Sequence, residues 1–195
     1  MGDLKMETLM SGVTEYTVSE TRYRYRFDSD IGHVSEYADL LEFLANSDDC
    51  FLELVFSSDG GDMDAALAII NAIHESKVHC HGSLLTHAHS AAGMIFLSCA
   101  SHSVSMNSSL MVHEQQSYGL GGKTSDLVSV VEFETKQHRR LMKRVYEGFL
   151  GDSELEQVLA GKELWMADDE VADRLNGMYA YFKEDAPPTS DIVYS

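Results

Sequence analysis

Phe51-Leu-Glu-Leu-Val-Phe56, then Ser57-Ser-Asp-Gly-Gly61, then Asp62-Met-Asp-Ala-Ala-Leu-Ala-Ile-Ile-Asn-Ala-Ile73 is the stretch that decides the fold. The first run is short, apolar and rich in strand formers, and the last repeats apolar residues at helical spacing. A strand that turns through a glycine pair into a helix is the opening of a β-α unit. The pattern repeats downstream. Residues 78–82 read as a short strand, 90–100 as a nearly all-apolar buried helix, and 103–113 as one or two strands broken near Asn107-Ser-Ser. Upstream, Arg22-Tyr-Arg-Tyr-Arg-Phe27 alternates as a half-buried strand does, and Val34, Tyr37, Leu40, Leu41 and Leu44 recur at helical spacing. Strands alternating with helices predict an α/β fold, a largely parallel sheet with helices packed on it.

The rest of the chain is sparser. Residues 1–18 are polar and aperiodic and read as a flexible N-terminal arm. Residues 19–183 read as a single domain, and 184–195, with Pro187-Pro188, as a disordered tail. Tyr118-Gly-Leu-Gly-Gly122 marks a hinge or turn, and residues 124–150 carry one long amphipathic pattern. A short helix is predicted from Gly151, an apolar spot at Trp165-Met166, and a last helix from Asp168 to a stop at Asn176-Gly177.

Composition narrows the function. The formal net charge of −18 over 195 residues disfavours nucleic acid and anionic membranes as partners, since both would repel the surface. No apolar run reaches the ~20 residues of a membrane span, and the first residues carry no leader-like apolar stretch. A cytoplasmic protein is therefore expected. Cys50, Cys80 and Cys99 are scattered among apolar or mixed segments and read as buried free thiols. His79-Cys-His81 and His87-Ala-His89 lack the spacing of zinc motifs, so neither a metal nor a cofactor is expected. His89 instead reads as a residue that tunes or lines the site beside Ser90.

Three features together make a chemical proposal. Ser90 opens an apolar helix, His113 closes the apolar segment Leu110-Met-Val-His113, and Gly60-Gly61 closes the strand before them. Each has an ordinary structural reading when taken alone: an N-cap, a structural histidine, a turn. Jointly they supply a nucleophile, a base and backbone donors. A serine hydroxyl needs a base within hydrogen-bond reach and N–H groups for the oxyanion. The N–H groups of Ala91 and Gly61 could supply the latter, and a carboxylate must hold the imidazole tautomer.

The order glycine pair, serine, histidine, acid is similar to that of the ClpP family of self-compartmentalising serine proteases. Phe56-Ser-Ser-Asp-Gly-Gly61 resembles the family's Asn-Ser-Pro-Gly-Gly segment, with Asp59 where the proline stands. Ala88-His-Ser-Ala-Ala-Gly-Met94 resembles its nucleophile segment, and Asn107-Ser-Ser-Leu-Met-Val-His113 its histidine segment. Gly119, Leu120, Gly121 and Gly122 resemble the glycine-rich strand that pairs with extended peptide, and the helix behind them the handle helix. Glu163-Leu-Trp-Met166 resembles the segment bearing the acid.

The resemblance implies a ClpP/crotonase-like repeated β-β-α superhelix with a protruding handle helix. It implies Ser90 as nucleophile, His113 as base, Glu163 as acid with Asp168 as fallback, and Gly61 and Ala91 as the oxyanion hole. It also implies homo-oligomeric, stacked rings around a chamber, a peptide or unfolded-protein substrate, and an AAA+ unfoldase as possible partner. If the acidic charge lines that chamber, acidic peptides are expected to be poor substrates. The departures mark a divergent member, of phage or mobile-element type. Two other readings stand beside the peptidase: a catalytically silent ring or scaffold subunit, and a crotonase-type acyl-CoA enzyme.

Overall fold

The computed structural model describes residues 4–10, 13–18, 21–114 and 123–183. Strands β1 (Leu4–Met10) and β2 (Val13–Val18) pair with each other as an antiparallel hairpin, separate from the main sheet. No strand was expected in this polar stretch. The main sheet begins with β3 (Arg22–Phe27), followed by a turn of 3-10 helix at Val34–Tyr37 and by α1 (Ala38–Asn46). Then come β4 (Asp48–Ser58), α2 (Met63–Glu75), β5 (Lys77–His89), α3 (Ala91–Leu97), β6 (Ser101–Val104) and β7 (Ser109–Val112). The chain continues through α4 (Thr124–Val145), α5 (Asp152–Val158), β8 (Leu164–Ala167) and α6 (Asp168–Lys183).

The sheet runs β3-β4-β5-β7-β8, with β6 also paired to β5. Every pairing is parallel except β7 with β8. This is the α/β architecture the alternation predicted. Its centre is apolar because parallel strands are covered on both faces. Leu54, Phe56, Ile69, Leu84, Ile95, Phe96, Leu110 and Val112 are all fully buried there. Phe56 stacks on Phe27 at 5.1 Å and receives the edge of Phe96 at 5.6 Å, so one aromatic column joins β3, β4 and α3. Asp62 caps α2 by accepting from the Ala65 N–H at 2.8 Å, which fixes where the helix leaves the glycine turn.

Three elements run differently from the sequence expectation. β5 extends well past residue 82, and β8 is a strand where only an apolar spot was read. α6 continues through Asn176-Gly177 to Lys183. In α4, every residue from 128 to 137 is exposed, so three turns of helix stand clear of the body, as a handle does. The residues 119–122 and the tail 184–195 lie outside the described residues. Among the described residues, no helix is long and apolar enough to cross a membrane.

Candidate active site

β5 and β7 are parallel neighbours, with His89 in register with Met111. Ser90 follows β5 and His113 follows β7, so both side chains emerge at the same end of adjacent strands, where ligand sites of parallel sheets lie. Ser90 Oγ and His113 Nε2 are 2.7 Å apart. The Ser90 backbone is held by a 2.8 Å bond from its N–H to the Met111 carbonyl.

Ser90 has φ 53° and ψ −123°, a left-handed conformation that a β-carbon disfavours. Such strain costs of order 1–3 kcal/mol and persists where the surrounding structure enforces it. Ser90 is the N-cap residue of α3, its carbonyl accepting from the Met94 N–H at 3.2 Å, but its side chain makes no capping bond. The hydroxyl is engaged with His113 instead. The Ala91 N–H is the first of α3 and has no partner inside the helix, which leaves it open to an anion.

The glycine pair packs against this corner. A β-carbon on Gly60 would lie 2.8 Å from Ser90 Cβ and 3.0 Å from Ala91 N. The Gly60 carbonyl accepts from the Ile31 N–H at 2.7 Å, and Asp62 N–H donates to the Ile31 carbonyl at 2.8 Å. A trans peptide sets its N–H antiparallel to its C=O. The Gly61 N–H therefore points away from Ile31, toward the side where β5 runs into Ser90. The Gly60 N–H is already used, donating to Ser58 Oγ at 3.2 Å. Of the two glycines, Gly61 is the one with a donor facing the serine side.

Glu163 is set differently. The antiparallel register pairs Met111 with Trp165 and Val112 with Leu164, so one step beyond the ladder Glu163 falls opposite His113. The Glu163 side chain is exposed, and its Oε2 accepts from Trp165 Nε1 at 3.1 Å. Among the described residues, His113 makes one hydrogen bond, to Ser90. The backbone thus brings Glu163 beside the histidine while its carboxylate is turned to the tryptophan. Asp168, the fallback, starts α6 and is half-buried. The substrate-strand residues Gly119, Leu120, Gly121 and Gly122 lie outside the described residues.

Two groups near the site were not read from the sequence as part of it. His138 of α4 is buried near His113 and Glu114, and burial holds its imidazole below the ordinary range. Ser109, at the start of β7, bonds to His89 Nε2 at 3.0 Å. Strand alternation carries the signal for Ser109: residues 109, 111 and 113 share one face of β7. No comparable signal marks His138, whose position follows from where α4 packs. Among the described residues, no group of three or more His, Cys, Asp or Glu side chains could hold a metal ion.

The sequence model of the Clp protease family matches residues 30–173, most of the chain and all of this site. The chain belongs to the Clp protease family. A search of curated proteins finds no match. Membership implies serine peptidase chemistry, which is the class the Ser90–His113 pair can perform.

Proposed function

We propose that this Clp-family protein is a serine endopeptidase with Ser90 as nucleophile and His113 as general base. The observation that carries this reading is the 2.7 Å contact between Ser90 Oγ and His113 Nε2 at a serine of strained backbone. His113 takes the hydroxyl proton as Oγ attacks the peptide carbonyl, then returns it to the leaving amine. Water hydrolyses the acyl-Ser90 ester with the same base. The N–H groups of Ala91 and Gly61 receive the oxyanion; the direction of the Gly60–Gly61 peptide supports that role.

Glu163 completes the triad by turning from Trp165 to the His113 Nδ1–H. Its register opposite His113 supports this, and the Trp165 bond makes the resting site incomplete. Residues 119–122 hold the substrate as an added strand, a mode that binds many sequences through main-chain hydrogen bonds. The subunits assemble as stacked homo-oligomeric rings through α4 and receive unfolded chains, with an AAA+ unfoldase as the supplying partner.

The position of the Glu163 carboxylate favours one rival reading, a silent ring subunit. Fluorophosphonate labelling with mass-spectrometric mapping separates the two. An adduct on Ser90 supports the peptidase; an assembled protein with Ser90 unmodified supports the silent subunit.

A further inference from the structure

His87 and His89 of β5 are in register with Ser109 and Met111 of β7, so these four residues face the same side of the sheet. On that face lies a second serine–histidine–acid arrangement that shares no residue with Ser90–His113. His89 Nδ1 is 3.0 Å from Asp59 Oδ1, and His89 Nε2 is 3.0 Å from Ser109 Oγ. An ionised carboxylate can only accept, so Nδ1 carries the proton. In the neutral imidazole Nε2 is then the acceptor, and Ser109 Oγ–H must donate to it. These are the atom roles of a Ser-His-Asp triad.

The surroundings favour the neutral imidazole, the form that can accept a proton at Nε2. The His89 side chain is only 11% exposed, and the Trp165 ring meets it edge-on at 5.0 Å. Burial holds it below the ordinary histidine range, against the opposing pull of Asp59, while neighbouring His87 adds to the lowering. The Asp59 side chain is 74% exposed, and the same oxygen lies 3.5 Å from His87 Nε2. His87 in turn bonds through Nδ1 to Thr86 Oγ1 at 2.9 Å. Ser109 is half-buried, on the open side of its strand.

We propose that Ser109 is a second nucleophile, activated by His89 and oriented through Asp59, that accepts acyl groups from activated esters. Ser109 Oγ attacks the ester carbonyl and its proton passes to His89 Nε2. The new Oγ–C bond forms as the C–O bond to the leaving group breaks, and the His89 proton goes to the departing alkoxide. The products are O-acyl-Ser109 and a free alcohol. Aryl esters suit the site best, because a phenolate leaves without prior protonation, whereas an amine does not. The proposal does not depend on the peptidase reading.

A fluorophosphonate probe takes the same path, with fluoride as leaving group. The test is mapping of its adducts by peptide mass spectrometry in wild type, Ser90→Ala, and Ser90→Ala combined with Asp59→Asn or with His89→Gln. Ser109 is expected to be labelled in both wild type and Ser90→Ala. Its labelling rate should fall at least tenfold when either Asp59→Asn or His89→Gln is added, with thermal unfolding used to verify that each variant is folded. An unlabelled Ser109 in folded Ser90→Ala would overturn the proposal, as would an unchanged rate in both combined variants. Because the adducts are resolved by residue, wild type reports on Ser90 separately.

Discussion

Gly60 has no room for a side chain: a β-carbon there would meet the His89 carbonyl at 2.6 Å and Ser90 Cβ at 2.8 Å, and its φ of +97° disfavours any L-residue. Gly60→Ala is therefore expected to destabilise the protein by roughly 2 kcal/mol, measured by urea unfolding, and to abolish Ser90 labelling in the protein that remains folded. Trp165 Nε1 donates to Glu163 Oε2 at 3.1 Å, so on the proposed mechanism Trp165→Phe, which deletes the N–H but keeps an aromatic ring, should raise peptidase kcat. Glu163→Gln should lower kcat by two orders of magnitude or more, on the scale of losing the tautomer-holding acid. Unchanged kcat in both variants would remove Glu163 from the mechanism. The meeting of Ser90, His113 and the glycine pair was legible because each falls at the end of an apolar segment that reads as a strand or opens a helix. The direction of the Glu163 side chain was not, since it depends on a competing donor two residues away. The Ser109 contact was hidden because it joins strands twenty residues apart.

At the scale of elements, β5 illustrates what periodicity misses. Its core face, with Val78, Cys80, Leu84 and Ala88 buried, is apolar, but the other face carries His79, His81, Ser83, Thr86 and His87, and the strand was read only as far as Gly82. Those polar groups are satisfied by partners remote in sequence: Ser101 bonds both His79 and His81 at 2.8 Å, and Ser103 bonds His81 at 3.1 Å. β8 is four residues long, too short to show alternation, and is defined by its pairing with β7.

α6 outruns its predicted stop because Met178 is buried and the Tyr179 hydroxyl bonds His102 Nδ1. His102 also bonds the Phe96 carbonyl through Nε2 at 2.8 Å, so it joins α3, β6 and α6. Its burial lowers the imidazole pKa from 6.5 to about 4. Between those values the unfolded chain binds more protons than the folded one, so stability falls as pH drops from 6.5 toward 4. The loss from this one group is about 3 kcal/mol. Urea unfolding at pH 7 and pH 4.5 should show a smaller acid-induced drop for His102→Gln than for wild type; equal drops would contradict this.

At the scale of the whole molecule, α4 leaves Val128, Val130, Val131 and Phe133 exposed on a helix that stands off the body. Apolar surface grouped in this way marks a contact with another protein. With assembly through α4, Phe133→Glu is expected to move the protein to smaller species in sedimentation velocity, while its circular dichroism spectrum stays unchanged. An unaltered sedimentation profile would place the assembly contact elsewhere. The alternation of strands and helices made the α/β fold legible over most of the chain. The hairpin β1-β2 was not: Leu4 and Met6 pair in register with Val18 and Tyr16, but the alternation spans too few apolar residues in each strand to stand out from the polar ones around it.

The most direct measurement is hydrolysis of an unfolded protein, fluorescently quenched casein, by the wild type and by Ser90→Ala. An unfolded substrate removes the need for an unfoldase, and casein offers many sequences at once. If Ser90 and His113 form a working peptidase, wild type releases fluorescence and Ser90→Ala is slower by at least a thousandfold. Equal rates in the two proteins, or no hydrolysis by assembled wild type, would contradict it.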